Sequence, residues 1–343
     1  MLVPVAVKSA VLSASLYSIR SSLRGNPLMV YVVSTASEVF MFAFNPLTGE
    51  ASTEAGVSSG AKSIAALTLF VLPFHTRAGS SVLAIVDTSL GAHLVPNTPE
   101  SVQALQQHEK PIYFQVVSVA QGLVQGYRLG ADLKAMLLSQ ISFNVAEESI
   151  VAASLKSCEP IASLGEALAD RGVLYKYINP HTMAIATLSN YTKNAATLTV
   201  YVIDGVKGTI IDQVTHESVQ GPVHLVHSEN WLVYHYYSKE EKRHEMSVIE
   251  LYDSRKPSET VSSFTQAAPM AIRQSYILPS AVTAVGATVT QKGISFRSIL
   301  MALPSGSLFS LPKRAVDARR PVDAQKAQAE GVPPYRAVLP LAP

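Results

Sequence analysis

Short apolar runs bounded by turn residues recur along almost the whole chain. LMVYVVS (Leu28 to Ser34) and EVFMFAF (Glu38 to Phe44) come first, then VLAIVD (Val82 to Asp87) and HLVP. IYFQVVSV (Ile112 to Val119), LVQGYRL and LKAMLLSQISF follow, and after Cys158 come VLYKYI, TMAIATLS, TLTVYVI and TIIDQVTH. Runs of this length, rich in β-branched and aromatic residues and closed by Gly, Pro, Asn, Asp or Ser, predict strands joined as antiparallel meanders. Only Ser101 to His108 and Ala162 to Arg171 carry a helical pattern. The fold class that follows is all-β: a sandwich, barrel or propeller.

Two turn segments narrow this choice. AFNPLTG (Ala43 to Gly49) and VIDGVKG (Val202 to Gly208) share a template of a small or β-branched residue, Asn or Asp, Thr or Lys, then Gly. The Asn or Asp side chain can bond the backbone two residues on, and the glycine supplies the positive φ of a tight turn. The template resembles the AxDxxTGxxxW turn of pyrroloquinoline-quinone-type β-propellers. Thr53 and Asp212 stand where the closing Trp would fall. The two copies lie close to four blades apart at about 40 residues each. The expectation is therefore a set of quinoprotein-like or WD40-type propeller blades, incomplete in number, followed by a β-rich carboxy-terminal domain.

The segment GPVHLVHSENWLVYHYYSKEEKRHEMSVIELYD (Gly221 to Asp253) holds four histidines and the only tryptophan. Val223 to His227, Trp231 to Tyr237 and Met246 to Leu251 are expected strands, with Ser228 to Asn230 as a three-residue turn. That register sets His227 opposite Trp231 and Val223 opposite His235, and it sends His224 to the other face. His227 and His235 then share a face but stand roughly 13 Å apart at about 3.3 Å per residue, too far for one metal ion. His244 falls in the polar run Ser238 to Glu245, expected as a solvated loop. No metal site is predicted, and the histidines are expected at the rims of an apolar layer.

Composition sets the remaining bounds. An apolar fraction of 48% with 15% charged residues implies a well-buried core. A net charge of +2, without a basic face interleaved with aromatics, gives no reason to expect nucleic acid. Cys158 is the single cysteine, which excludes an internal disulfide. The start, with Pro4 and Lys8, lacks the form of a signal peptide, and SIAALTLFVLPF (Ser63 to Phe74) is too short for a span of roughly 20 residues. Glu147 with Glu148, and Glu240 with Glu241, point opposite ways in extended chain and cannot pair as acid and base. No GxSxG elbow, phosphate loop, metal-ligand set or cofactor platform is present, so no catalytic residue, cofactor or metal is assigned. Asn190-Tyr191-Thr192 is a sequon, and Asn190 is the one predicted site residue, a glycan acceptor in a luminal protein.

The same histidine-rich segment has a second meaning. Together with VLYKYINP (Val173 to Pro180), VIDGVKGTII, RQSYILPSAVTAVGATVTQKGISFRSILMALPSGS and LFSLPKRAVDARRP, in that order, it resembles the carboxy-terminal domain of subunit 1 of the endoplasmic reticulum membrane protein complex. The resemblance runs from about Glu159 to Pro321, with a looser fit over Gly25 to Ala153. It implies a propeller portion over 1–155, the family's carboxy-terminal domain over 156–321 and a Pro/Ala-rich tail over 322–343. It further implies a non-enzymatic, mostly luminal scaffold at the endoplasmic reticulum membrane. The partners implied are other subunits of that complex, which inserts transmembrane helices and helps fold multipass clients. Family members carry a signal peptide and a transmembrane anchor that these residues do not display, so a fragment is expected, with membrane association supplied through the complex and that anchor. The alternatives from the residues alone are a soluble β-propeller binding module and a quinone-dependent dehydrogenase.

Overall fold

The computed structural model describes residues 11–20, 27–35, 39–44, 60–62, 66–77, 81–156, 161, 163–189, 196–253, 263–264, 268–289 and 296–340, with side chains from residue 67 onward. It is an antiparallel β-protein. β1 (Val11–Arg20), β2 (Pro27–Thr35), β3 (Val39–Phe44) and β4 (Gly60–Lys62) form a four-stranded sheet in chain order. β5 (Ala66–His75), β6 (Ser81–Asp87) and β7 (Ala92–Val95) form a second sheet. After helix α1 (Pro99–Gln106), β8 (Ile112–Ser118), β9 (Leu123–Leu129) and β10 (Ala135–Ser142) form a third. Thr98 caps α1 by accepting from the Ser101 amide, and Pro99 follows at the first turn, where a missing N–H costs nothing.

The largest sheet has seven strands in the order β11-β14-β15-β16-β17-β18-β19. Its members are β11 (Glu148–Leu155), β14 (Thr182–Ser189), β15 (Ala196–Asp204), β16 (Thr209–Ser228), β17 (Trp231–Ser238), β18 (Arg243–Tyr252) and β19 (Met270–Leu278). The short hairpin β12 (Gly165–Ala167) and β13 (Val173–Tyr175) precedes β14, and β20 (Ala284–Ala287), β21 (Ser298–Ala302) and β22 (Leu308–Pro312) close the series as a three-stranded sheet. The 20-residue β16 explains the unusual width. Its first half pairs with β15 as far as Val219, its second half pairs with β17 from Val219 onward, and the second register is irregular between Gln220 and His224. The sheet is thus two four-stranded leaves that share one strand, the meander pattern of propeller blades.

Contacts within the chain define two compact units, one of Met1–Val116 with Gly126–Leu138 and one of Val117–Gln125 with Ser139–Pro343. The first unit centres on Val82, Ala84 and Val86 of β6, with Phe70 and Tyr127 on either side of Phe114 at ring separations of 4.8 and 5.3 Å. In the second unit, β17 is buried on both faces, as its unbroken apolar run requires. Leu232, Tyr234 and Tyr236 pack with Leu198, Val200, Ile249 and Leu251. Trp231 and Val233 face the other way, onto Met246, Val248, Tyr276, Ile299, Met301 and Leu311.

Three expectations are corrected. Of Ala162 to Arg171, helical by composition, the described residues from Ser163 onward instead form β12 and a turn, because Gly165 to Ala167 pairs with Val173 to Tyr175. The turn after His227 has two residues, Glu229 and Asn230, so Ser228 faces Trp231 and His224 faces His235. His244 lies within β18, opposite Tyr237, and not in a loop. Beyond Pro321, α2 (Ala324–Ala329) forms and the chain returns to the sheet, where Val338 bridges Ile277 in parallel and Leu339 is buried.

Candidate functional site

The one-residue change of register inverts the histidine face, since side chains alternate at every residue. His224, His235 and His244 now stand in a row across β16, β17 and β18. The His224 and His235 rings lie 5.7 Å apart, those of His235 and His244 5.2 Å, and His235 Nε2 meets His244 Nδ1 at 3.1 Å. His227 is on the opposite face. His235 and His227 are buried and held neutral, their pKa values lowered to about 3; burial is the main cause for both, reinforced by His244 and His224 at His235 and by Lys156 at His227. The facing nitrogens of His235 and His244 hydrogen-bond each other, and among the described residues no three His, Cys, Asp or Glu side chains are grouped to hold a metal ion.

The predicted Asp turn is built as expected. Asp204 Oδ1 accepts from the Val206 and Lys207 amides at 2.9 and 3.1 Å, and Gly208 closes the turn at φ +68°. Asp204 Oδ2 also accepts from Asn179 Nδ2 at 3.0 Å, which ties the YINP segment to it. The corresponding Asn45 to Gly49 turn, Cys158 and the sequon residue Asn190 lie outside the described residues. Glu148 accepts from Thr187 Oγ1 and Tyr201 Oη at 2.5 and 2.9 Å, and Glu241 pairs with Arg243 at 3.3 Å.

The chief concentration of charge, a cavity of about 640 Å³ in the second unit, was not foreseen. Six segments far apart in the chain converge there: the β12–β13 hairpin, the β16–β17 turn, the end of β18 at Glu250 and Tyr252, the residues just before β21, the 3-10 turn Lys313–Val316 with its continuation to Arg319, and Glu330 to Val332. Glu229 accepts from Arg297 Nε at 3.1 Å and Lys176 Nζ at 3.3 Å. Lys176 also pairs with Glu166 at 3.1 Å. Glu250, 2% exposed, accepts from Lys313 Nζ at 2.5 Å, Tyr252 Oη at 2.5 Å and the Ala318 amide at 3.0 Å. Arg319 makes two bonds to Asp317, and Lys313 lies over the Trp231 ring at 5.5 Å. Burial pushes the Asp317 carboxyl up, yet Lys313 and Arg319 hold it below the usual range. Burial and the Glu250 charge push the Tyr252 hydroxyl far up.

Glu229 sits at φ +46°, in the left-handed region that a residue with a Cβ avoids at a cost of roughly 1–2 kcal/mol. Two cations on its carboxylate hold it there. These carboxylates are occupied by partners, so the arrangement fastens distant segments to one another. The sequence signal for it was the lone charge inside an apolar run: Lys176 in VLYKYI, Glu250 in VIELY and Arg297 in SFRSIL. Such charges must be paired when the run is buried.

Antiparallel leaves around a paired polar cluster define a β-propeller-type protein. Residues 6–343 match the family described as ER membrane protein complex subunit 1, second beta-propeller, and the chain belongs to that family. It is 35% identical over 302 residues to the Gallus gallus ER membrane protein complex subunit 1, covering 86% of this chain and 30% of that protein. The Xenopus laevis protein of the same name is 35% identical over 301 residues, again 86% and 30%, and the Schizosaccharomyces pombe one 33% over 231 residues, 64% and 25%. The chain thus spans less than a third of the length of these relatives. The match continues past Pro321, through the Pro/Ala-rich tail to residue 343.

Proposed function

We propose that this chain is part of a non-enzymatic scaffold subunit of the endoplasmic reticulum membrane protein complex, supporting insertion of transmembrane helices and folding of multipass membrane proteins. The family match over residues 6–343 carries the reading. Its polar cluster agrees with it, because groups tied to one another across distant segments suit a surface-presenting body more than a reaction site. In this reading residues 1–155 are a propeller portion, 156–321 the carboxy-terminal domain and 322–343 a tail. The body faces the lumen, contacts other subunits of the complex and carries a glycan on Asn190. Among the described residues no helix is long and apolar enough to cross a membrane. Membrane association is assigned to the complex and to the anchor that the family resemblance implies.

The test is affinity capture of the full-length parent protein from its own cells, followed by mass spectrometry. Recovery of the other subunits supports the reading, and a monomer free of them refutes it. Endoglycosidase treatment of the same sample should lower the mass, and the Asn190→Gln variant should show no such shift; an unmodified Asn190 counts against the luminal placement.

A further inference from the structure

We propose that the outer face of the β20–β22 sheet is a docking surface for one apolar-faced α-helix of a partner polypeptide. The face stands on its own geometry; that the helix belongs to another subunit of the complex rests on the function proposed above.

The inner face of this sheet is already covered: Val285, Ile299, Met301, Phe309 and Leu311 pack into the core that holds Trp231 and Met246. Strand alternation sends the intervening residues outward. They are Leu300 and Leu308 set among alanine, glycine, serine and proline, with no charged side chain. An antiparallel sheet with one wet face ordinarily puts polar groups on it. Here Leu308 is instead 79% and Leu300 39% exposed, and a Cβ added at Gly286 would meet no atom within 4 Å. Phe296, 90% exposed, extends the stripe, because Arg297 turns inward to Glu229 and the ladder runs on from its carbonyl to the Lys313 amide.

The dimensions of the face select the occupant. Three strands about 4.8 Å apart make it roughly 10 Å wide, the diameter of a single helix at about 10–12 Å. From the row of Leu308 and Ala302 to Phe296 the stripe runs about 20 Å, at about 3.3 Å per residue, a length that a helix of roughly 13 residues spans. The small side chains between the two leucines leave room for large residues of the helix. A charge on the docked side of that helix would be buried without a counter-charge, so its stripe is uncharged. A lipid surface fits this face less well, because interfacial faces turn Lys and Arg toward anionic headgroups and this one has neither.

The test uses the full-length parent protein in its own cells, with p-benzoylphenylalanine in place of Leu308 or Phe296, both exposed positions whose replacement leaves the core intact. After irradiation the joined peptides are sequenced by mass spectrometry. The expected result is that both positions join one other subunit, within a single segment whose apolar residues recur at three- and four-residue spacing, at points roughly 10 to 16 residues apart. Gly286→Lys enters open space, so it should leave the parent's level and protease resistance unchanged. It should nonetheless lower the yield from Phe296 about tenfold or more, because the ammonium would be buried under the helix. Leu308→Lys, at a side chain that is mostly in solvent, should do the same. Joining to lipid alone, to a second copy, to another part of the parent chain or to a segment without helical spacing each overturns the proposal. So does no joining at all, or an undiminished yield in either lysine variant. Joining to such a helix in a protein outside the complex would refute the scaffold function and leave the docking face standing; recovery of the complex with neither position joined would do the reverse.

Discussion

Arg297 reaches back 68 residues to donate its Nε–H to Oε1 of Glu229 at 3.1 Å, and both side chains are at least nine-tenths buried. Lys176 occupies the second oxygen of the same carboxylate, so one acidic group joins three parts of the chain. Removing it leaves Lys176 with Glu166 as its acidic partner and takes a buried carboxylate from Arg297, which keeps its bond to the Thr288 carbonyl. Glu229→Ala should destabilise the second unit by about 3–5 kcal/mol in urea unfolding. The double variant Glu229→Leu, Arg297→Met should recover part of that loss. A single-variant loss below about 1 kcal/mol would mean that the three groups are effectively hydrated.

Gly208 carries a different constraint. At φ +68° a side chain is disfavoured, and an added Cβ would stand 2.8 Å from Cβ of Ser139, an atom that cannot swing aside. Gly208→Ala should therefore cost more than about 1 kcal/mol, whereas an ordinary Gly→Ala change stabilises by about 0.4–1 kcal/mol. A neutral or stabilising result in thermal unfolding would show that the turn is not held as described.

These two positions also show what can be read without coordinates. The Asp204–Gly208 turn was legible because all its determinants lie within five residues, and the strands were legible because each alternation or apolar run is local. Register was not. Two-residue hairpin turns announce themselves by Asn-Gly or Asp-Gly, whereas here Glu229 takes the left-handed position and is kept there by Lys176 and Arg297 from far along the chain. WLVYHYY is buried on both sides, so its pattern could not say which residues share a face, and the error of one residue moved His224 from one side to the other. ASLGEALADR failed for the reverse reason: helix-forming residues yielded to pairing of Gly165–Ala167 with Val173–Tyr175. The cavity has no local signature beyond isolated charges in apolar runs, because its geometry exists only after six distant segments meet.

The buried histidines set a pH dependence of stability. His235 and His227 have folded-state pKa values lowered to about 3 from the ordinary 6.5. Between those values the unfolded chain binds protons that the folded chain does not, so stability is complete above about pH 6.5 and falls as pH drops toward 3. Each histidine should remove about 1.4 kcal/mol per pH unit below 6.5, or roughly 2 kcal/mol by pH 5. His224 and His244 face His235, and Lys156 is the charge acting on His227. His235→Gln should reduce the slope of unfolding free energy between pH 5 and pH 6.5 by about one proton. An unchanged slope would mean that His235 titrates normally.

Trp231 gives the last test, because its environment depends on the register that corrected the histidine face. Opposite Glu250 and 3% exposed, it packs against the apolar core on one side and meets Lys313 at 5.5 Å on the other. In the three-residue turn its partner on β16 would have been His227 and not Ser228. A ring so buried emits at short wavelength and resists collision with solutes. Iodide should therefore quench the native chain several-fold less than the urea-unfolded chain. Lys313→Ala removes both the cation over the ring and a partner of the buried Glu250 carboxylate. It should red-shift the emission and destabilise the second unit by about 3–5 kcal/mol, the cost of breaking a buried pair. Lys313→Met keeps the apolar stem and separates the two effects: packing on the ring is retained, so the emission should stay near native, while most of the stability loss persists because the buried Glu250 carboxylate keeps only its neutral donors, Tyr252 Oη and the Ala318 amide. Equal quenching of native and unfolded chains would place Trp231 at the surface and overturn the register on which the cavity is built.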